Sequence, residues 1–183
     1  MGAALVGVKI AILVTSGFEQ SEMVGPKRAL EEAGATVHIV APQAGKVQGW
    51  DWMVPKPLDE FTVDVPLNQT SASNYDALVL PGGLSSPDDL RIDAGALTFV
   101  QGFANKPIAA ICHGPWILIN AGLVKGKTLT SWYSIKIDLT NAGATWVDQE
   151  VVVDGNLITS RMPDDVPAFN KAIIEHFAKA SHG

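Results

Sequence analysis

One cysteine, Cys112, has to serve all 183 residues. A lone thiol cannot close an intrachain disulfide, so disulfide-stapled secreted folds are excluded and a reducing cytoplasm is the expected compartment. Cations are also scarce: 13 Lys and Arg stand against 19 Asp and Glu, a net charge of −6. That deficit argues against nucleic acid or an anionic membrane as partner. Long apolar runs are missing. The N-terminal run is short, is broken by Lys9 and lacks a cleavage site, so neither a signal peptide nor a membrane span is expected. Met1-Gly2 does not make a myristoylation signal, because Val6 stands where Ser or Thr is required. No two histidines have zinc-ligand spacing, so no metal or other cofactor is expected; His38 falls in a strand pattern, His176 and His182 on a terminal helix and tail. Internal repeats and low-complexity tracts are absent.

What remains is a chain long enough for one domain, 1–183, with a sizeable core. Strand and helix patterns alternate. Lys9 to Val14 reads as a buried strand, Glu22 to Ala33 as a helix and Thr36 to Val40 as a second strand. Ala41 to Asn74 reads as an irregular excursion with one edge hairpin. Trp50 and Trp52 within it, with Trp132 later, are candidates for an interface or a pocket rim. Asp76 to Leu80 is the third strand, stopped by Pro81-Gly82-Gly83, and Ala94 to Ala104 is helical. After position 128 come a short strand at Leu129 to Ser131, a helix at Ile135 to Asn141, and a hairpin turning at Asp154-Gly155-Asn156. The last helix carries an apolar stripe of Val166, Phe169, Ile173 and Phe177. Such alternation predicts a flavodoxin-like, three-layer α/β sandwich around a mainly parallel sheet. Ala121 to Thr128 loosely matches a phosphate loop, but it follows a helix and leads into a strand, the reverse of what phosphate binding needs.

The stretch around Cys112 organises the chain. Ile108 to Ile111 is a continuous apolar run suited to a buried parallel strand, and Gly114-Pro115 opens a helix that Gly122 closes. The thiol therefore sits on a sharp strand-to-helix turn, where the helix N-terminus is expected to favour its thiolate. Trp116 beside it reads as core packing. Ligands of open parallel sheets bind beyond the carboxyl ends of the strands. Three such ends carry Glu19 and Glu22, then Gly82 and Gly83, then Cys112 and His113. A carboxylate can accept a thiol proton, and bare glycine N–H groups can form an oxyanion hole.

Phe18-Glu-Gln-Ser-Glu22, Leu80-Pro-Gly-Gly83, Pro87-Asp-Asp-Leu-Arg91 and Ala109-Ala-Ile-Cys-His-Gly-Pro115 resemble motifs of the ThiJ/PfpI superfamily. Asn141 to Asp148, Val151 to Gly155 and Thr159 to Asp165 extend the likeness over nearly the whole chain. It is nearest to bacterial PfpI-type stress proteins, described as intracellular cysteine peptidases, cofactor-independent glyoxalases and protein deglycases. The resemblance implies a fold like that of class I glutamine amidotransferases. It also implies Cys112 as nucleophile, Glu22 as the carboxylate touching its sulfur, and an acidic position at Asp88 that reaches a neighbouring subunit's site. Where some relatives carry Thr-Ser-Tyr-Pro, this chain has Thr130-Ser131-Trp132-Tyr133, so Trp132 is expected in the pocket wall.

Neighbours on a sharp turn point apart. His113 is therefore expected to act through its backbone N–H, or to turn toward Asp88; in a homo-oligomer, Asp88 of one subunit is expected near His113 of another and would hold it protonated. Asp88 itself is expected after a flexible Leu84-Ser85-Ser86 loop, near a homo-oligomer interface. The expected function is cysteine chemistry on a reactive carbonyl such as methylglyoxal, free or as an early adduct on protein, with Glu22 as acid and base. Two alternatives use the same sulfur: a peptidase or amidase, and a redox-sensing stress protein or chaperone.

Overall fold

The computed structural model describes residues 3–181; His182 lies outside them. The first half runs β1 (Lys9–Leu13), β2 (Phe18–Glu19), α1 (Gln20–Glu32), β3 (Thr36–Ala41), β4 (Lys46–Asp51), β5 (Lys56–Thr62), β6 (Val65–Pro66) and β7 (Ala77–Leu80). It continues with α2 (Ser85–Leu90), α3 (Ala94–Gln101), β8 (Ile108–Ile111), α4 (Pro115–Asn120), β9 (Thr128–Leu129) and α5 (Lys136–Asn141). The last elements are β10 (Thr145–Trp146), β11 (Val151–Asp154), β12 (Leu157–Ser160) and α6 (Val166–Ser181).

Seven strands form the central sheet in the order β11-β12-β8-β7-β1-β3-β6. All neighbours are parallel except β11 and β12, which form the hairpin at Asp154–Leu157. Strand alternation distributes the core. Ile10 and Ile12 of β1 face α1 and α6, whereas Ala11 and Leu13 face the α3, α4 and α5 side. On α6, Phe169, Ile173 and Phe177 recur at intervals of four and are almost wholly buried. Each removes enough apolar area to stabilise the fold by about 1.5–3 kcal/mol. Helices on both faces make a flavodoxin-like α/β sandwich.

Two expectations change. The excursion from 41 to 74 holds more order than one edge hairpin: β4 and β5 pair with β2 as a separate three-stranded sheet. Gln20 clasps this hairpin through reciprocal hydrogen bonds with Asp59, at 2.7 and 2.9 Å. The loop expected before Asp88 is instead helix α2. Ser86 is buried there and its hydroxyl accepts the Thr15 N–H at 3.0 Å, while Leu90 enters the core. β9 pairs with β10 outside the central sheet.

Candidate active site

β8 ends at Ile111, and Cys112 then takes φ 61°, the sole positive φ of a non-glycine among the described residues. Such a backbone costs about 1–3 kcal/mol and persists only when its surroundings over-determine it. Here they do. The Cys112 N–H donates to Ser160 O at 3.1 Å, its carbonyl accepts from Trp132 N–H at 3.0 Å, and Gly114 N–H returns to Ile111 O at 2.8 Å. The turn lifts the sulfur out of the strand and leaves the N–H groups of Gly83 and His113 directed at it.

Glu22, in the first turn of α1, is wholly buried against that thiol. Its Oε2 accepts the Gly82 N–H at 2.8 Å, and Oε1 has no hydrogen-bond partner. Gly82 is required by space. A Cβ there would come within 2.6 Å of Glu22 Oε2, 2.7 Å of the Cys112 Cβ and 2.9 Å of the His113 N. Gly83 is required by conformation, with φ 86°. Burial raises the Glu22 carboxyl from 4.5 to about 8, reinforced by the charge of Glu19. Burial also pushes the Cys112 thiol well above its ordinary value, with the Glu22 charge adding to it; the N–H groups of Gly83 and His113 pull the other way without prevailing. The expected thiolate at rest is thus corrected. Two negative charges cannot share this pocket, so the pair rests as a thiol beside a carboxylic acid.

His113 does not point away. Its Nδ1 lies 3.4 Å from the Cys112 Sγ, while its backbone N–H also faces the sulfur. The ring meets Trp116 edge-on at 4.9 Å and stacks on Trp132 at 6.1 Å. Burial lowers the imidazole from 6.5 to about 4, and the one carboxylate opposing this is Asp138, not Asp88. Within the chain His113 is turned toward the Cys112 sulfur and not toward Asp88. Asp138 also accepts the Trp116 Nε1–H at 2.9 Å. Nothing in the sequence singled it out, because an acid in a helix's first turn is ordinary.

These groups open into a cleft of about 290 Å³. Glu19, Glu22, Gly83, Cys112, His113 and Trp132, all singled out in the sequence, line it together with Trp52, Met53, Leu84, Ser134 and Pro163. Trp52 thus stands in the pocket, one of the two places its sequence context offers, and Pro163 comes from the Thr159 to Asp165 stretch that extends the family likeness. Asp88 stands apart, exposed on α2 and outside the cleft. Trp116 packs against the core as expected. Among the described residues, no group of three His, Cys, Asp or Glu side chains is arranged to hold a metal ion, and no helix is long and apolar enough to cross a membrane.

Comparison with known proteins fits this geometry. A model of the DJ-1/PfpI family matches residues 8–176. A Bacillus subtilis protein named putative cysteine protease YraA is 46% identical over 165 residues, 89% of this chain and 94% of its own. Escherichia coli protein/nucleic acid deglycase 2 is 47% identical over 167 residues, again 89% of this chain and 94% of its own. Among solved structures, a two-domain Anabaena variabilis protein with DJ-1/ThiJ/PfpI-like and ferritin-like domains superposes with TM-score 0.86 at 37% identity, over 92% of this chain and 47% of that one. Drosophila melanogaster DJ-1beta superposes with TM-score 0.81 at 29% identity, over 96% of each chain. Matched from residue 8 to residue 176, this chain belongs to the DJ-1/PfpI family.

Proposed function

We propose that this protein is a cofactor-independent cysteine enzyme acting on reactive 2-oxoaldehydes, free or as early adducts on protein. The observation that carries this reading is the buried Cys112–Glu22 pair, with Glu22 raised to about 8. The Cys112 sulfur adds to the aldehyde carbon and the pair's proton passes to the aldehyde oxygen, giving a neutral hemithioacetal. Glu22 then gives up its own proton to water and stands as a carboxylate beside the neutral sulfur. A carboxylate of this basicity, matched to neutral pH, then takes the proton from the former aldehyde carbon and returns it to the neighbouring ketone carbon, while the hydroxyl proton on the first carbon passes to the ketone oxygen. The first carbon is oxidised and the second reduced, so no outside oxidant enters. Water hydrolyses the resulting thioester, releasing a 2-hydroxy acid and the thiol. The Gly83 and His113 N–H groups are placed to hold negative charge as it moves between sulfur and oxygen.

The named protease relative and the 3.4 Å contact of His113 Nδ1 to the sulfur favour peptide or amide cleavage as a second reading. An imidazole lowered to about 4 is a poor base near neutral pH, which sets this reading behind the first. The deciding experiment follows methylglyoxal by NMR with no added thiol or metal. Conversion to lactate supports the proposal, and strict dependence on glutathione or metal overturns it.

A further inference from the structure

At about 290 Å³ the cleft has more room than a three-carbon carbonyl fills, and its two indole walls are held in place by hydrogen bonds and stacking. Trp52 is tied to the turn before α1 by its Nε1–H to Gly17 O at 2.9 Å and by its backbone N–H to Glu19 Oε2 at 2.9 Å. Its ring stacks on Trp50 at 5.0 Å, with 17° between the planes. Trp132 is pinned by its backbone N–H to Cys112 O and by its stack on His113. Met53 and Leu84, both exposed, extend the apolar lining to the rim.

Charge is as telling as shape. Among the described residues, no Lys or Arg lines the cleft. Two nearby cations are committed elsewhere: Arg161 to Asp165 and Asp148, Arg91 to Asn120 and the face of Trp116. Glu19, 6% exposed in the cleft wall, keeps its carboxylate there through Ser21 Oγ–H at 2.9 Å and the Trp52 N–H. That fixed negative charge opposes an incoming anion.

We propose that the cleft is a subsite for a flat, uncharged, apolar group, so that aryl-substituted 2-oxoaldehydes of the phenylglyoxal type are taken in preference to methylglyoxal and to anionic carbonyls. Preset indole walls bind a ring at little ordering cost, and aromatic contact is worth up to about tenfold in binding. The reacting end rests on the chemistry proposed above, in which phenylglyoxal and water give mandelate; the subsite itself does not.

The test separates the two. Alkylation of Cys112 by iodoacetamide is timed in the presence of benzamide, benzoate or acetamide, none of which the enzyme can isomerise. Benzamide is expected to protect at least tenfold more strongly than either benzoate or acetamide, and Trp132→Leu is expected to abolish its advantage over acetamide. Equal protection by benzoate removes the charge argument, and equal protection by acetamide removes the ring site; either result overturns the proposal. For turnover, kcat/KM for phenylglyoxal is expected to exceed that for methylglyoxal about tenfold, with Trp132→Leu bringing the ratio toward one. A ratio at or below one in the unsubstituted protein also overturns it. If neither carbonyl is turned over, the reaction scheme fails while the benzamide result still decides the subsite.

Discussion

On the α1 side of Cys112, Glu22 is wholly buried and raised to about 8; on the α4 side, His113 is partly buried and lowered to about 4. The same force acts on both, since removal from water disfavours whichever form is charged. Because one group is an acid and the other a base, the shifts run in opposite directions and leave both neutral between those values. The resting sulfur thus has uncharged neighbours on either side, in a cleft whose one fixed charge is Glu19. What distinguishes the neighbours is their partners. Glu22 is fixed by the Gly82 N–H and presses on the thiol, whereas His113 is cushioned by two indoles and feels Asp138 from a distance.

The largest effect that sharpens this contrast is at the sulfur. Cys112→Ser should remove carbonyl turnover; residual activity above a tenth of the original, a barrier change under about 1.4 kcal/mol, would place the chemistry elsewhere. Next comes Glu22→Gln, which keeps the shape and the Gly82 contact but cannot carry a proton between carbons. Turnover should fall by about 10²–10⁴. A comparable loss in His113→Asn with none in Glu22→Gln would exchange the roles of the two sides.

Stability gives the third test. Glu22 binds its proton more tightly folded than unfolded, so its contribution is complete below 4.5 and is lost as pH rises to about 8. Its slope is at most about −1.4 kcal/mol per pH unit. His113 binds its proton more weakly when folded, so its contribution is present above 6.5 and is lost as pH falls toward 4. The two oppose each other between 4.5 and 6.5 and cease to do so above it. Denaturant titrations should therefore show a shallow dependence up to pH 6.5 and a decline from there to 8. Glu22→Gln should abolish the decline, and His113→Asn should start it lower; a decline that survives Glu22→Gln would show that another group causes it.

The smallest effect is expected at Asp88. In its own chain it lies outside the cleft, so Asp88→Asn should leave a monomer's turnover within about twofold, as for most surface substitutions. A loss beyond tenfold, recovered on mixing with Cys112→Ser chains, would instead show that Asp88 reaches a neighbour's site in a homo-oligomer.

Much of the fold could be read from local signals: continuous apolar strands, period-four stripes such as Phe169, Ile173 and Phe177, and turns marked by Gly. The residues that meet at the site were legible because the ends of parallel strands converge, which brought Glu22, Gly82, Gly83, Cys112 and His113 under consideration together. Less legible was anything decided by tertiary burial. The resting thiol, the lowered imidazole and the role of Asp138 follow from desolvation, which no local pattern records. The β4–β5 hairpin escaped full description for a related reason: its order depends on Gln20 and β2, about 25 to 40 residues away in the chain.

The account stands most directly on the proton of Glu22. With carboxyl-¹³C-labelled glutamate, assigned by its absence from Glu22→Gln, the Glu22 resonance can be followed by NMR from pH 4 to 10. The prediction is a protonated carboxyl at pH 6 that titrates near 8, and a midpoint no lower once Cys112 is converted to a neutral thioether by alkylation, because the thiol's hydrogen bond favours the carboxylate and is then lost. A Glu22 carboxyl already ionised at pH 6, titrating near its ordinary value of 4.5, would contradict it.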